Sequence, residues 1–145
     1  MTEHPAATDE ATRALVRELF ASYARGEGER VAALLDDNVD WTIHGPRNVF
    51  PFVGQRHGKA DVLKVLAEIA NDYALQRYEP DIIIVENERA AVLSNAAFVQ
   101  RATNRTLSFH IVDLLRFRDG RVVEFREFTD TFDLVEQALG RFLIA

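Results

Sequence analysis

The chain has 145 residues, 48% of them hydrophobic and 28% charged, which suits a single globular domain spanning residues 1–145. Its formal net charge of −6 disfavours a nucleic-acid surface, and the absence of cysteine excludes disulfides and thiolate chemistry. It has no apolar signal core, and its longest aliphatic run, Ile82–Val85, cannot span a membrane, so we expect a cytoplasmic protein without a membrane partner.

Capping residues and hydrophobic spacing predict three helices and one strand in the first half of the chain. Residues 1–7 are expected to be a flexible tail, after which Leu15, Leu19 and Tyr23 repeat at the four-residue spacing of a helix face. The predicted elements are a helix from a cap at Thr8 or Asp9 to about Arg25, a short helix over Glu29–Leu35, a strand over Val39–His44, a loop over residues 45–58 and a helix over Lys59–Asn71.

The loop over residues 45–58 is unusually apolar. It holds Val49, Phe50, Phe52 and Val53, and exposed loops rarely carry so many large apolar side chains. We therefore expect this loop to cover the mouth of a pocket, with Phe50 or Phe52 pointing inward against the third helix.

The second half of the chain is predicted to be sheet, closed by one helix. Pro80 suggests that the first of these strands lies at an edge or contains a bulge. The predicted elements are strands over Leu75–Val85 and Arg89–Gln100, a long hairpin within residues 107–131 that turns at Asp119-Gly120, and a helix from Thr131 to about Phe142. Helices segregated on one face of a curled antiparallel sheet indicate an α+β domain.

The register of the hairpin decides which of its residues share a face. A three-residue loop over Arg118–Gly120 would place the odd-numbered residues of both strands on one apolar face, whereas a two-residue loop would pair Asp113 with Arg126. We adopt the first register because it separates apolar from mixed residues better. It makes Asp113 and Glu127 diagonal neighbours on an apolar face, where desolvation and mutual repulsion should leave about one proton shared between them at neutral pH.

Three stretches in this order resemble the nuclear transport factor 2-like (NTF2-like) superfamily, most closely its SnoaL-like and ketosteroid isomerase-like members. They are LLDDNVDWTIHGP, FPFVGQRHGKADVL and FHIVDLLRFRDGRVVEFREFTD, and the resemblance covers roughly residues 9–135. It implies a cone-shaped curved antiparallel sheet wrapped around three N-terminal helices, as in a cystatin-like roll. It also implies a mostly apolar pocket that opens between the sheet and the helices.

Carried over residue by residue, the steroid isomerase pattern is incomplete. Asp113 matches the aspartic acid that donates a hydrogen bond to the developing oxyanion in that family. The position of the family's oxyanion tyrosine is Leu19 here, with Tyr23 one turn away. The general-base position is Thr42, which cannot act as a base, and His44 lies two residues further on.

These positions define a candidate site. The catalytic candidates are Asp113, Glu127 and His44, and the structural alternative for Asp113 is a carboxylate tied to a backbone amide, Arg116 or Arg126. Nothing in the spacing demands a metal, and no cofactor is expected. The residues expected to line the pocket are Leu19, Tyr23, Leu34, Trp41, Thr42, Phe52, Leu66, Phe98, Phe109, Ile111, Phe125 and Thr129.

Two classes of function fit this site. The first is a cofactor-independent acid–base enzyme of isomerase, cyclase or hydrolase type, in which His44 or Glu127 takes a proton from a hydrophobic carbonyl compound and protonated Asp113 hydrogen-bonds the enolate. Epoxide hydrolase relatives carry an Arg where this chain has Ile111, so that pattern fails, whereas SnoaL-like cyclases imply a single aspartate as acid and base. The alternative is a non-catalytic ligand-binding or scaffold domain.

Two structural expectations follow. A pocket of roughly several hundred Å³ with Asp113 at its floor would favour the enzyme, and a cone filled by side chains would favour the scaffold. The opposite sheet face, with Val112, Leu114 and Phe128, is too apolar to face water comfortably, so we expect a homodimer through that face.

Overall fold

The computed structural model describes residues 5–144, in which four helices and six strands alternate in the order of an α+β domain. No helix in this part of the chain is long and apolar enough to cross a membrane. The elements are α1 (Pro5–Ala24), α2 (Gly28–Ala33), β1 (Leu35–Ile43), β2 (Gly54–His57), α3 (Lys59–Asp72), β3 (Tyr73–Glu86), β4 (Arg89–Gln100), β5 (Arg105–Arg118), β6 (Arg121–Thr129) and α4 (Thr131–Leu139).

The six strands form one sheet in the order β2-β1-β6-β5-β4-β3. Strand β1 runs parallel to β6, and every other neighbouring pair is antiparallel. Strands β3 to β6 are the four consecutive antiparallel strands predicted after the third helix. The parallel pairing of β1 with β6 was not predicted, because the alternation of a short strand shows which residues face inward but not which strand lies beside it.

Several element boundaries differ from those predicted. Helix α1 begins at Pro5, a residue that suits the first turn of a helix. Residues 5–7 are therefore helical rather than part of the predicted tail, and residues 1–4 lie outside the described residues. Strand β1 begins at Leu35 instead of Val39, and the end of the predicted loop forms β2. Helix α4 ends at Leu139, because Gly140 takes a left-handed φ of 69° that stops the helix.

The central hairpin has a two-residue turn, not the predicted three-residue loop. Asp119 and Gly120 both have positive φ, 52° and 76°, as a type I′ turn requires. A β-bulge at residues 122–123 then adds the residue that the shorter turn lacks. The odd-numbered residues beyond the bulge therefore still share the inner face, but Asp113 and Glu127 are direct cross-strand partners rather than diagonal neighbours.

Helices α1 and α3 cover the inner face of the sheet, and their apolar residues form the core with the inward side chains of the strands. The Thr12 hydroxyl donates to the Asn87 carbonyl at 2.5 Å, and the Asn87 amide donates to Asp9 at 2.7 Å, which fastens α1 to the β3–β4 turn. On the other side, the Gln137 side chain exchanges two 2.9 Å hydrogen bonds with the backbone of Ser108, where β5 extends beyond β6. Helix α4 is thereby held across the end of the sheet.

Candidate functional site

A mostly apolar cavity of about 100 Å³ lies between the inner face of the sheet, helices α1 and α3, and the start of α4. Its volume is smaller than the roughly several hundred Å³ that would accommodate a drug-sized ligand. A compact molecule fits it as it stands, and a larger one requires movement of the wall.

The loop between β1 and β2 forms one side of this cavity. Phe50 is buried, its ring centroid lies 5.5 Å from that of Phe52, and Phe52 meets Tyr73 edge to face at 5.9 Å. Because Tyr73 follows α3 directly, these contacts seat the loop against the end of that helix. Both phenylalanines line the cavity together with Val53.

Two carboxyl groups meet at the closed end of the cavity. Asp113 on β5 pairs directly with Glu127 on β6, and both side chains point to the inner face. Glu127 lines the cavity wall, whereas Asp113 is 0% exposed and lies behind that wall. The two carboxyls are within hydrogen-bonding reach of each other, and such a bond requires that one of them carry a proton.

Tyr78 on β3 joins the two carboxyl groups. Its hydroxyl donates to Asp113 Oδ2 at 2.6 Å and lies 3.2 Å from Glu127 Oε1. The other Asp113 oxygen, Oδ1, has no hydrogen-bond donor among the described residues. The site is therefore a buried three-residue network with one unsatisfied acceptor, at which a shared proton would be stabilised.

The surroundings favour protonation of this network. Burial raises the pKa of Asp113 well above its ordinary value, and the charge of Glu127 raises it further, while the hydrogen bond from Tyr78 opposes the shift. Burial also raises the pKa of Glu127, although hydrogen bonds from Asp113 and Tyr78 offset part of that effect. Asp113 is therefore the better holder of a proton, and Glu127 the better holder of a charge.

Two tyrosines near the carboxyls remain neutral. Burial, followed by the charges of Glu127 and Asp113, raises the pKa of the Tyr23 hydroxyl. Burial and the same two carboxyls raise the pKa of Tyr78 as well. Tyr23 lines the cavity and meets Tyr78 edge to face at 5.5 Å, so its phenol is a second hydrogen-bond donor at this end of the cavity.

Within residues 5–144, no Lys or Arg side chain forms an ion pair with either carboxyl. The sequence left open a pairing of Asp113 with Arg116 or Arg126, but both arginines bind Glu124 on the outer face, at 3.3 and 2.9 Å. Strand alternation explains this result, because even-numbered residues of β5 and of this part of β6 point away from the cavity.

Most of the residues predicted to line the pocket lie on the cavity wall. Leu34 does not, because it is packed into the core, and Thr42 does not, because its strand neighbours Trp41 and Ile43 face inward and Thr42 therefore faces outward. Those on the wall are Leu19, Tyr23, Trp41, Phe52, Leu66, Phe98, Phe109, Ile111, Phe125 and Thr129.

His44 lies at the mouth of the cavity rather than with the carboxyl network. Its side chain is exposed, and its ring stacks on Phe128 with centroids 4.3 Å apart. Within residues 5–144, no hydrogen bond joins its ring to Asp113 or Glu127, and no group of three or more His, Asp or Glu side chains is placed to hold a metal ion. The geometry separates His44 from the two acids with which it was grouped.

Tyr78 is the site residue that sequence reasoning missed. Its flanking residues, Arg77 and Glu79, are exposed and charged, while Tyr78 is buried. An isolated aromatic residue between two charged ones in a strand indicates an inward-facing position, and this was the signal available in the sequence.

Trp41 adds a buried polar atom to the cavity wall. Its ring stacks on Phe125 with centroids 3.8 Å apart, and its Nε1 has no acceptor in the described part of the chain. A buried indole N–H usually finds a partner. A molecule bound in the cavity or an ordered water could satisfy this unpaired donor.

A family model and several solved structures are similar to this chain. A family model described as a SnoaL-like domain matches residues 16–125. A protein from Rhodopseudomonas palustris, named as a candidate isomerase, is 38% identical over 97% of this chain and 100% of that chain, with a TM-score of 0.78. An NTF2-like protein of unknown function from Burkholderia pseudomallei K96243 is 26% identical over 88% and 97%, with a TM-score of 0.81.

A third solved structure is a candidate ketosteroid isomerase from Kribbella flavida DSM 17836, 26% identical over 83% of this chain and 78% of that chain, with a TM-score of 0.63. Among curated proteins no significant match is found. The fold of these solved structures matches the six-stranded sheet and N-terminal helices of this chain. The family model covers more than half of the chain. The chain therefore belongs to the SnoaL-like domain family and has the NTF2-like fold.

Proposed function

We propose that this protein binds a compact hydrophobic carbonyl compound in its cavity and moves protons on it without a cofactor, in a reaction of isomerase or cyclase type. The observation that carries the proposal is the carboxyl network. Glu127 presents a carboxyl group to an apolar cavity, and Asp113 and Tyr78 bind it from behind. Strongly perturbed carboxyls in a cavity are frequent at acid–base sites.

In the proposed reaction Glu127 is the base. Its carboxylate takes a proton from the carbon next to the ligand carbonyl, and the electrons of the broken C–H bond form an enolate. Return of that proton to another carbon completes an isomerisation, so no oxidant or reductant is consumed. A raised pKa suits Glu127 to both steps, because a base near the working pH can also act as the acid.

The other residues of the network act through Glu127 or on the ligand oxygen. Asp113 does not reach the cavity wall, so its role shifts from oxyanion donor to a positioning residue that holds a proton against Glu127. The neutral Tyr23 phenol on the wall takes the place of oxyanion donor. His44 at the mouth has no step in this scheme.

The test uses 3-cyclohexenone, whose conversion to 2-cyclohexenone is followed by ultraviolet absorbance. Wild-type protein should accelerate the conversion beyond an equal concentration of acetate, and Glu127→Gln should lower the rate by about 10²–10⁴-fold. His44→Gln, which alters a cavity residue outside the network, should change it little. A rate that Glu127→Gln leaves intact would contradict the assignment of the base.

A non-catalytic binding protein is the second candidate. The small and largely apolar cavity favours it, because a narrow space can hold a ligand without leaving room for substrate turnover. Saturable binding of cyclohexanone, detected by NMR, with no conversion of 3-cyclohexenone would favour this alternative.

We also propose that the protein forms a homodimer through the outer face of the sheet. Ile82, Leu93, Val112 and Phe128 are successive cross-strand partners from β3 to β6, and they form an apolar row across that face. Leu114, 42% exposed, extends the row on β5. A second copy of the same face would cover these side chains.

A further inference from the structure

The carboxyl pair is unusual because it is enclosed without a cation. Among the described residues, no Lys or Arg lines the cavity, and the one basic residue that borders it, His44, has its ring stacked on Phe128 of the outer face. Asp113 Oδ1 is buried without a donor. Among the described residues, the stabilisation of any negative charge on the pair comes from the hydrogen bond that the Tyr78 hydroxyl donates.

The walls around this charge are strongly aromatic. Ten of the 24 residues that line the cavity are Phe, Tyr or Trp, and Tyr23, Tyr73 and Tyr78 belong to them. Aromatic faces attract organic cations, and the attraction strengthens when the cation is removed from water. A carboxylate at one end of an aromatic cavity is the combination that recognises an ammonium group on a hydrocarbon body.

We propose that the cavity binds small protonated amines, with the ammonium group hydrogen-bonded to the Glu127 carboxylate and the hydrocarbon part between the aromatic rings. This inference rests on the cavity and Glu127 but not on proton transfer to a carbonyl compound. It adds a class of ligand that the reaction proposed above does not require. The ammonium supplies the positive charge that the protein lacks at this position.

Binding of an amine should release a proton from the protein. A nearby positive charge favours the ionised form of Glu127, so the pair holds fewer protons when the ammonium is bound, while Asp113 remains the better holder of a proton. The ionisable groups that face the pair are Tyr23 from α1, Tyr78 from β3 and, at the mouth, His44. The tyrosines remain neutral because their pKa values are raised. His44→Gln is the control variant for the histidine at the mouth.

The test compares benzylamine with benzyl alcohol, a neutral molecule of nearly the same shape, by isothermal titration calorimetry at pH 7. Benzylamine should bind at least about tenfold more tightly, through its charge-assisted hydrogen bond and cation–π contacts. In two buffers of different ionisation enthalpy, its binding should release a proton in wild type and in His44→Gln, and its affinity should rise from pH 5 to pH 8. Benzyl alcohol should show neither effect.

Glu127→Gln locates the ammonium. It should abolish the preference for benzylamine and leave the affinity for benzyl alcohol unchanged. Equal affinity for the two molecules in wild type, an equal loss of both in Glu127→Gln, or benzylamine binding without proton release would overturn the inference. The wild-type buffer comparison needs no variant, so it decides the matter even if Glu127→Gln does not fold. Failure of the 3-cyclohexenone assay alone leaves amine binding standing, and failure of amine binding alone leaves the proposed reaction standing.

Discussion

Tyr78→Phe is the substitution that tests the carboxyl network most directly. It removes one hydroxyl from a buried ring and changes no other contact of the side chain. The hydroxyl oxygen lies 2.6 Å from Asp113 Oδ2 and 3.2 Å from Glu127 Oε1. Because it has a single proton to donate, the loss corresponds to one strong shared hydrogen bond rather than two. A hydrogen bond to a charged group contributes about 1.5–3 kcal/mol, and one between neutral groups about 1 kcal/mol.

The expected loss depends on pH, and its sign follows from the hydrogen bond. Tyr78 lowers the pKa of both carboxyls, so it stabilises the ionised pair more than the protonated one. Tyr78→Phe should therefore lower the free energy of unfolding by about 2–3 kcal/mol at pH 8 and by about 1 kcal/mol at pH 4, where the pair is protonated. Urea unfolding followed by circular dichroism at the two pH values gives the comparison.

Tyr23→Phe is the matched control. It removes the same hydroxyl from the same cavity, but in the described structure this hydroxyl makes no hydrogen bond to either carboxyl, so its effect should stay within about 0.5 kcal/mol at both pH values. An equal loss in the two variants, or a loss in Tyr78→Phe that does not change with pH, would refute the network as described.

Three further predictions concern the acid pair, the dimer and the loop. Asp113→Asn should increase the free energy of unfolding, relative to wild type, more at pH 8 than at pH 5. The reason is that the raised pKa of Asp113 makes its ionisation destabilising as pH rises. Equal effects at the two pH values in urea unfolding would contradict this. Leu114→Arg should yield monomer or aggregate by light scattering, whereas Leu139→Arg, at similar exposure on α4, should leave the dimer intact; a dimeric Leu114→Arg would place the interface elsewhere. Limited proteolysis should cut residues 45–53 first and be slowed by bound benzylamine or cyclohexanone, and equal cutting with either ligand demonstrably bound would show that the loop does not cover the cavity.

The hairpin shows what alternation can and cannot predict. Apolar residues at odd positions fix which face of β5 and β6 is buried, and this prediction is correct from Phe125 onward. Alternation does not count the residues in the turn, because a shorter turn plus a bulge gives the same faces as a longer turn. Asp119-Gly120 is a typical type I′ pair and argued for the two-residue turn. The bulge at residues 122–123 has no comparable signal, so the direct pairing of Asp113 with Glu127 was not predictable.

Tyr78 escaped prediction for a related reason. Strand β3 shifts its register between Leu75 and Arg77 and again between Pro80 and Ile82, so Tyr78 lies between two irregularities. Two such shifts within one strand destroy the alternation by which its inner residues would be recognised. The lone aromatic residue between two charged ones still indicates an inward-facing position, but its carboxyl partners are identified only when the other strands are placed.

The position of the acid pair is itself an argument about function. An ionised carboxyl at a buried position is costly, and replacement of buried ionic groups by well-packed apolar residues is often neutral or stabilising. Asp113 is fully buried, with the buried apolar residues Ile111 and Leu115 on either side of it on the inner face of β5. The carboxyl therefore carries a desolvation cost that an apolar residue at this position would not. A second acid placed directly opposite, with one tyrosine bound to both and no Lys or Arg from residues 5–144 paired with either, increases the cost further. The arrangement stabilises a proton or a positive charge next to the cavity. This property serves the binding or conversion of a ligand rather than the stability of the fold.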